Sequence, residues 1–233
     1  MIQHPYSEYA NKEIFWLPTD TKERYDQNIR ENYNLLDQFG WIDKTISYQF
    51  NSLGFRSEEF SSSDNAVFLG CSHTVGVGLP IENTWPYYVS QALGLKCYNL
   101  GIGGGSLDLA FRLSYYLLKD LRPKIVFLLC PGRFRIELFE GDDLISFLPA
   151  NPTAHKNLSY FYKCYLGNDY NHLMNQQKNI LAIQHLCNDL GIKFVYLNEP
   201  QLIEQNKTDL ARDLMHTGPK SNFDLAQRFL SMM

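Results

Sequence analysis

A serine follows the first long apolar run of the sequence, in Gly70-Cys71-Ser72-His73-Thr74. At a turn between a strand and a loop, a serine hydroxyl can face substrate, and its backbone N–H can stabilise a developing oxyanion. The hydroxyl becomes an effective nucleophile only when a base accepts its proton. The same five residues also fit a serine that caps a helix or closes a turn, so Ser72 needs a partner elsewhere in the chain.

An aspartate and a histidine stand three positions apart near the end of the chain, in Asp213-Leu214-Met215-His216. A carboxylate at this spacing can hold one imidazole nitrogen while the other nitrogen reaches a serine. By itself the pair also fits a helix-capping aspartate beside an exposed histidine. Because Ser72 needs a base, the interpretation of this pair as that base is favoured over the structural one. We therefore predict Ser72 as nucleophile, His216 as general base and Asp213 as the group that orients it.

His73 competes for the role of base because it is adjacent to Ser72. Neighbouring side chains usually point in different directions, so we expect His73 to line the pocket or to bind a backbone carbonyl. The other histidines lie in polar segments or on a helix surface, and we interpret them as structural or solvent-facing: His4, His155, His172 and His185.

A glycine-rich loop, Gly101-Ile102-Gly103-Gly104-Gly105, follows a second, shorter apolar run. A dinucleotide site needs G-x-G-x-x-G and a later acidic residue at a strand end, and the sequence has neither. A tight turn that presents a backbone N–H to a reacting oxygen is the better interpretation. A flexible connection to the next helix is the alternative.

The elements that position these motifs alternate between strand and helix. Continuous apolar runs, which suit strands covered on both faces, predict strands over 66–70, 96–100, 124–130 and 192–197. Helical periodicity predicts helices over 85–93, 107–121, 174–190 and about 219–230. The alternation indicates an α/β fold with a mostly parallel sheet and helices on both faces, whose reactive groups gather at the carboxyl ends of the strands.

Two segments fall outside this alternation. Residues 1–60 are polar and aromatic, with one alternating stretch, Thr45–Phe50, that could form an edge strand. We interpret them as an N-terminal extension that packs on a core domain formed by residues 61–233. Residues 136–171 form a long insertion with little periodicity, which is typical of a lid or a substrate wall.

Charge and composition exclude several classes of protein. The net charge is −4 and no stripe of Lys and Arg occurs, which argues against nucleic acid as a partner. No run approaches the roughly 18 apolar residues that cross a bilayer, and no secretory signal is visible, so we expect no membrane and a cytoplasmic location. The five cysteines are scattered without a CxxC pair, which favours neither zinc nor a disulfide framework.

The motifs together resemble the SGNH/GDSL hydrolase family of serine esterases and acylhydrolases. The Gly-Asp-Ser block of the family is matched by Gly70-Cys71-Ser72. The glycine of its second block is matched by Gly104, which lies five positions after Asn99. Its Asp-x-x-His block is matched by Asp213 and His216. The resemblance covers residues 66 to about 230. It implies a flavodoxin-like three-layer α/β/α fold and a triad of Ser72, His216 and Asp213. It further implies oxyanion donors at the N–H groups of Ser72 and Gly104.

Two departures from the family pattern bear on activity. Cys71 replaces an aspartate that is not a triad member, which should be tolerable. The asparagine of the third block is missing, because the sequence there reads Cys130-Pro131-Gly132-Arg133-Phe134-Arg135. Arg133 is the candidate for a replacement oxyanion donor, whereas in the alternative both arginines pair with Glu137 or Glu140. Loss of one donor typically costs about 10²–10³-fold in rate.

The resemblance implies hydrolysis of small acyl esters, and the aromatic, polar insertion favours an O-acetylated carbohydrate over a long lipid tail. An acyltransferase would use the same triad. A binding module that kept the fold but lost turnover is the alternative from another class, and a nucleotide-binding protein is disfavoured. We expect neither a cofactor nor a metal. The sequence does not predict an oligomeric state.

Overall fold

The computed structural model describes residues 3–61, 64–141, 143–147, 160, 164–165, 168–198 and 208–233. The strands, numbered in chain order, are β1 Glu13–Ile14, β2 Tyr48–Gln49, β3 Asn65–Leu69, β4 Lys96–Asn99, β5 Ile125–Leu129, β6 Ile136–Glu140, β7 Asp143–Phe147 and β8 Lys193–Leu197. The α-helices are α1 Lys22–Glu31, α2 Tyr33–Gln38, α3 Ser72–Val75, α4 Trp85–Leu93, α5 Leu107–Leu121, α6 Asp169–Asp189 and α7 Pro219–Ser231.

The central sheet has four parallel strands in the order β4-β3-β5-β8. Phe68 of β3 lies opposite Asn99 on one side and Phe127 on the other, so the carboxyl ends of these strands meet at one edge. Counted along the chain, the order is 2-1-3-4, which matches the flavodoxin-like arrangement over its first four strands. The predicted parallel α/β sheet is confirmed.

Two helical layers cover the sheet, because successive side chains of a strand point to opposite faces. Phe68 and Phe127 face α4 and α7, where they pack with Trp85 and Phe229. Val67 and the other residues of the opposite face belong to the core that α5 and α6 complete. The architecture is therefore the expected three-layer α/β/α fold.

Local sequence explains the bounds of the helices. Ser106 caps α5 by accepting the N–H of Leu109, and α4 ends at Gly94, which has φ +65°. Helix α6 begins five residues before the predicted Met174, because Asn168 caps it by accepting the N–H of Tyr170. Tyr116 of α5 is 52% exposed, although it follows the apolar period of the helix.

Residues 3–61 pack against the α5 and α6 side of the sheet and share its core. Their buried side chains form one cluster with Val67 and Leu128 of the sheet: Tyr6, Leu17, Leu36, Trp41, Ile46, Tyr48, Phe50 and Phe55. Within Thr45–Phe50, where an edge strand is expected, only Tyr48–Gln49 is a strand. It pairs antiparallel with β1 in a separate two-stranded sheet and does not join the central sheet.

The predicted insertion begins with regular structure. Strands β6 and β7 form an antiparallel hairpin, in which Ile136 lies opposite Phe147 and Gly141 adopts φ +61° at the turn. The description of this stretch as lacking periodicity is therefore wrong at its start, since Ile136, Glu137 and Leu138 already alternate. Most of the remaining insertion, residues 148–159 and His155 among them, lies outside the described residues. Among the helices that the structure describes, none combines the length and apolarity needed to span a bilayer.

Candidate active site

The turn that carries Ser72 leaves the carboxyl end of β3, the second strand of the sheet. Gly70 has φ +153°, and a Cβ added there would lie 2.1 Å from the hydroxyl oxygen of Thr74. A side chain at this position would therefore clash inside the turn, and glycine lets the chain bend sharply into α3. Ser72 is the first residue of that short helix and is half-buried.

The backbone of this turn supplies a hydrogen-bond donor at Ser72. The N–H groups of Thr74 and Val75 bond back to the carbonyl oxygen of Cys71 at 2.9 and 3.0 Å. The N–H of Ser72 donates no hydrogen bond within the described part of the chain, as expected for the first residue of a helix. It is therefore available as a donor beside the serine hydroxyl.

Asp213 and His216 are joined within one tight loop. His216 Nδ1 lies 2.6 Å from Oδ2 of Asp213, and the Asp213 side chain is fully buried. The other carboxylate oxygen, Oδ1, accepts the N–H groups of Met215 and His216, each at 3.0 Å. This pattern of a side chain bonding the backbone just after it holds the imidazole beside the carboxylate.

These contacts determine the charge state of the carboxyl group. Burial by itself would raise the pKa of Asp213, since desolvation disfavours the anion. The hydrogen bond and charge of His216 and the two backbone N–H donors outweigh burial and lower the pKa to about 2. Asp213 is therefore an anion at neutral pH.

The Asp213 loop meets the Ser72 turn through His73. The rings of His73 and His216 are in edge contact, with centroids 5.0 Å apart, and His73 Nδ1 lies 3.4 Å from the hydroxyl of Thr217. The structure thus brings the turn of Ser72 and His73 together with the loop of Asp213 and His216. Within the described residues no hydrogen bond joins the Ser72 hydroxyl to His216. Such bonds often form only once substrate is bound.

The glycine loop is fastened to the same turn. The N–H of Ile102 donates to the Gly70 carbonyl at 3.2 Å. The Asn99 side chain donates to the Thr74 carbonyl at 2.7 Å and accepts the N–H of Gly101 at 2.9 Å. Gly104 has φ +73° and is half-buried, and its N–H bonds no acceptor among the residues that the structure describes.

The two arginines after β5 have different surroundings. Arg133 is exposed and makes no hydrogen bond in the described ranges, so its role as an oxyanion donor stays a prediction. Arg135 reaches the glycine loop, where its Nη1 donates to the Gly105 carbonyl at 3.4 Å. The alternative pairing with Glu137 is wrong, because Glu137 forms a two-pronged ion pair with Arg112 at 2.6 and 2.7 Å. The side chain of Glu140, the other expected partner, lies outside the described part of the structure.

Three residues that sequence reasoning missed come from the N-terminal segment. Thr19 Oγ1 donates to Oδ2 of Asp213 at 3.1 Å, and Asn28 Nδ2 donates to its backbone carbonyl at 3.4 Å. Asp20 pairs with Arg212, the residue before Asp213. No motif or periodicity marks these positions, since each contact joins residues far apart in the chain.

The histidines outside the site have structural surroundings or lie at the surface. His4 is buried and stacks on Phe55, and His172 is buried against the loop after β5. His185 is exposed on α6. Among the described residues, no group of three or more His, Cys, Asp or Glu side chains is placed to hold a metal ion.

No protein-family model and no curated protein matches the sequence. Among solved structures, the chain is similar to a member of the lipolytic protein G-D-S-L family from Veillonella parvula, at 13% identity over 72% of this chain and 97% of that chain, with a TM-score of 0.37. It is also similar to the acetyl xylan esterase AlAXEase, at 16% identity over 72% and 99% of the two chains, with a TM-score of 0.37. A third similar structure is the psychrotrophic esterase EstA from Pseudoalteromonas sp., at 14% identity over 72% and 95%, with a TM-score of 0.38. One of these structures is therefore a lipolytic G-D-S-L family protein, and the other two are esterases.

Proposed function

We propose that this chain is a serine ester hydrolase that acts through an acyl-enzyme. One observation carries the proposal: the 2.6 Å bond between His216 Nδ1 and Asp213 Oδ2, on a loop whose imidazole packs against the turn of Ser72. A carboxylate bonded to Nδ1 fixes the tautomer that leaves Nε2 to accept a proton. This arrangement suits general-base activation of a nearby hydroxyl.

The proposed reaction has two acyl transfers. Ser72 Oγ attacks the ester carbonyl while its proton moves to Nε2 of His216, and the N–H groups of Ser72 and Gly104 stabilise the oxyanion. The intermediate collapses, the alcohol leaves with the proton from His216, and the acyl group stays on Ser72. Water then attacks the acyl-enzyme and gives a proton to His216. As the acid is released, His216 returns that proton to Ser72 Oγ, which restores the serine hydroxyl.

The proposed substrate is a small acyl ester such as an O-acetylated carbohydrate. The support comes from sequence, since residues 136–171 are rich in aromatic and polar side chains, of which Tyr160 and Tyr165 are exposed. A transferase would use the same acyl-enzyme but would pass the acyl group to a sugar hydroxyl. Incubation with an acetyl ester and competing sugar acceptors, followed by product analysis, separates the two.

One observation favours a second candidate, a binding module of this fold without turnover. The segment directly after β5, Cys130 to Arg135, contains no asparagine. Arg133, the candidate replacement, forms no hydrogen bond with the Ser72 turn or the glycine loop in the described residues. A site with one oxyanion donor fewer loses about 10²–10³-fold in rate.

A fluorophosphonate probe, which reacts with activated serines, tests the proposal. We expect the wild-type protein to be labelled and Ser72→Ala to be unlabelled. Ser90→Ala is the matched control, because Ser90 is a buried serine of α4 whose hydroxyl donates to the Tyr87 carbonyl of its own helix. The control should be labelled like the wild type. A folded wild-type protein that resists labelling would support the binding module instead.

The acyl group is tested with p-nitrophenyl esters of increasing chain length and with acetylated sugars. We expect the acetyl ester to be hydrolysed fastest and the rate to fall as the chain lengthens. Ser72→Ala provides the background rate. A rate that rises with chain length would contradict the proposed substrate class while leaving the serine mechanism intact.

A further inference from the structure

Thr19 has a backbone conformation that its side chain disfavours. Its φ is +76°, in the left-handed region. A β-branched residue at such an angle is a genuine outlier, since its Cβ substituents crowd the backbone. Conformations of this kind persist only where the surrounding structure enforces them, and they concentrate at functional sites.

The hydroxyl of Thr19 completes the hydrogen bonding of Asp213. Oδ2 of this carboxylate accepts His216 Nδ1 at 2.6 Å and Thr19 Oγ1 at 3.1 Å. Oδ1 accepts the N–H groups of Met215 and His216. Among the residues that the structure describes, each carboxylate oxygen therefore has two donors. Thr19 supplies the only one of the four that comes from outside the Asp213 loop.

The residues around Thr19 hold it against the loop. Asp20, the next residue, is buried and forms a two-pronged ion pair with Arg212, and the hydroxyl of Tyr48 donates to the same aspartate. Thr21 then caps α1 by accepting the N–H of Arg24 at 3.2 Å. Two consecutive residues, Thr19 and Asp20, thus bond two consecutive residues of the other segment, Asp213 and Arg212.

We propose that Thr19 is a positioning residue of the triad, whose hydroxyl holds the Asp213 carboxylate in the orientation that bonds His216. The inference rests on the proposed function. Without the hydroxyl, Oδ2 keeps a single donor and the carboxylate is free to tilt about its two Oδ1 bonds. A tilt weakens the hold on the imidazole, which must stay aligned for proton transfer from Ser72. The N-terminal segment is in this way part of the active site.

Substitutions at Thr19 distinguish the effect of its hydroxyl group from the effect of its side-chain shape. Thr19→Val keeps the branched side chain and removes the hydroxyl, whereas Thr19→Ser keeps the hydroxyl. Thr21→Val is the matched control, because it removes a hydroxyl two residues away that caps α1. Two quantities are measured: the rate at which a fluorophosphonate labels Ser72, and the downfield proton NMR signal of the bond between His216 and Asp213.

We expect Thr19→Val to slow labelling about 10-fold, the scale of one hydrogen bond to a charged group, and to shift or broaden the downfield signal. Thr19→Ser should restore both quantities, and Thr21→Val should change neither. A Thr19→Val protein with the wild-type rate and signal would overturn the proposal. Equal slowing in Thr19→Val and Thr21→Val would overturn it too, because loss of stability would then explain both.

Thr19→Gly distinguishes positioning from a structural role. Glycine relieves the strain at φ +76°, so we expect the melting temperature to hold or rise while labelling slows as in Thr19→Val. A Thr19→Gly protein that labels at the wild-type rate contradicts the proposal. If the wild-type protein is not labelled, the proposed function fails, and the NMR signal still tests Thr19. A wild-type protein without that signal lacks the ordered bond and overturns the inference.

Discussion

Asp20 and Arg212 form a buried two-pronged ion pair although 192 positions separate them in the chain. Arg212 Nε lies 3.0 Å from Oδ1 of Asp20, and Nη2 lies 2.7 Å from Oδ2. The guanidinium also donates to the Phe15 carbonyl and lies 4.2 Å from the centre of the Trp16 ring. Since Asp213 is the next residue, the pair anchors the backbone that carries the carboxylate of the proposed triad.

Removal of one member of this ion pair should destabilise the fold. Asp20→Ala leaves the Arg212 charge buried without its carboxylate, and we expect the free energy of unfolding to fall by about 3–5 kcal/mol in urea titrations. Lys22→Ala is the control, because Lys22 pairs with Asp26 on the surface and such pairs contribute about 0–1 kcal/mol. An equal loss of unfolding free energy in the two variants would show that the buried pair contributes no more to stability than the surface pair.

Asp213→Asn tests the orienting carboxylate. The amide can favour the wrong tautomer of His216, and we expect kcat on an acetyl ester to fall by about 10⁴-fold. The KM should change little, because no substrate contact is removed. Asp209→Asn is a matched control in the same segment, since Asp209 accepts the N–H groups of Lys220 and Ser221 at the start of α7. A control that loses as much kcat as Asp213→Asn would contradict the assignment.

Protonation of His4 should destabilise the fold in mild acid. Burial lowers the pKa of His4 to about 4, and the bond to the Leu53 carbonyl opposes this shift only in part. In the unfolded chain the pKa of a histidine is about 6.5, so the unfolded state binds the proton at a higher pH than the folded state. The free energy of unfolding is therefore highest above pH 6.5 and falls as the pH drops to 4. The difference amounts to about 3 kcal/mol.

Urea unfolding of the wild type between pH 7 and 4 measures this loss. His4→Gln, which cannot titrate there, should show a smaller decline in unfolding free energy over the same range. His185→Gln removes an exposed histidine and should decline like the wild type. A His4→Gln protein with the full wild-type decline would place the effect on another group.

Tyr6 and Gly103 are coupled by close approach. A Cβ at Gly103 would lie 2.1 Å from the Tyr6 hydroxyl oxygen, so Gly103→Ala should displace the loop that carries Gly104 and lower kcat/KM. Tyr6→Phe removes the clashing oxygen and should restore part of the activity in the double variant, while by itself it stays close to wild type. The four proteins form a double-mutant cycle. A double variant no better than Gly103→Ala would contradict this coupling.

Local patterns were sufficient to predict the elements of the main sheet and most of its helices. The predicted bounds of Trp85–Leu93 and Leu107–Leu121 agree with the structure, because apolar period and capping residues both act within a few positions. The hairpin at Ile136–Phe147 was missed although its alternation is visible. The pairing of Asp213 with His216 could also be predicted from their spacing, since their hydrogen bond forms within one loop.

The sequence by itself determined the order of strands and helices, the parallel sheet, and the dyad of Asp213 and His216. Only the tertiary structure decided that the N-terminal segment reaches this dyad, through a Thr19 bond that joins residues 194 positions apart. The physical reason lies in the range of the forces. Propensity, periodicity and capping depend on neighbours in the chain. The contacts of Thr19 and Asp20 depend instead on the burial of the aromatic N-terminal segment against the sheet, which no local pattern encodes.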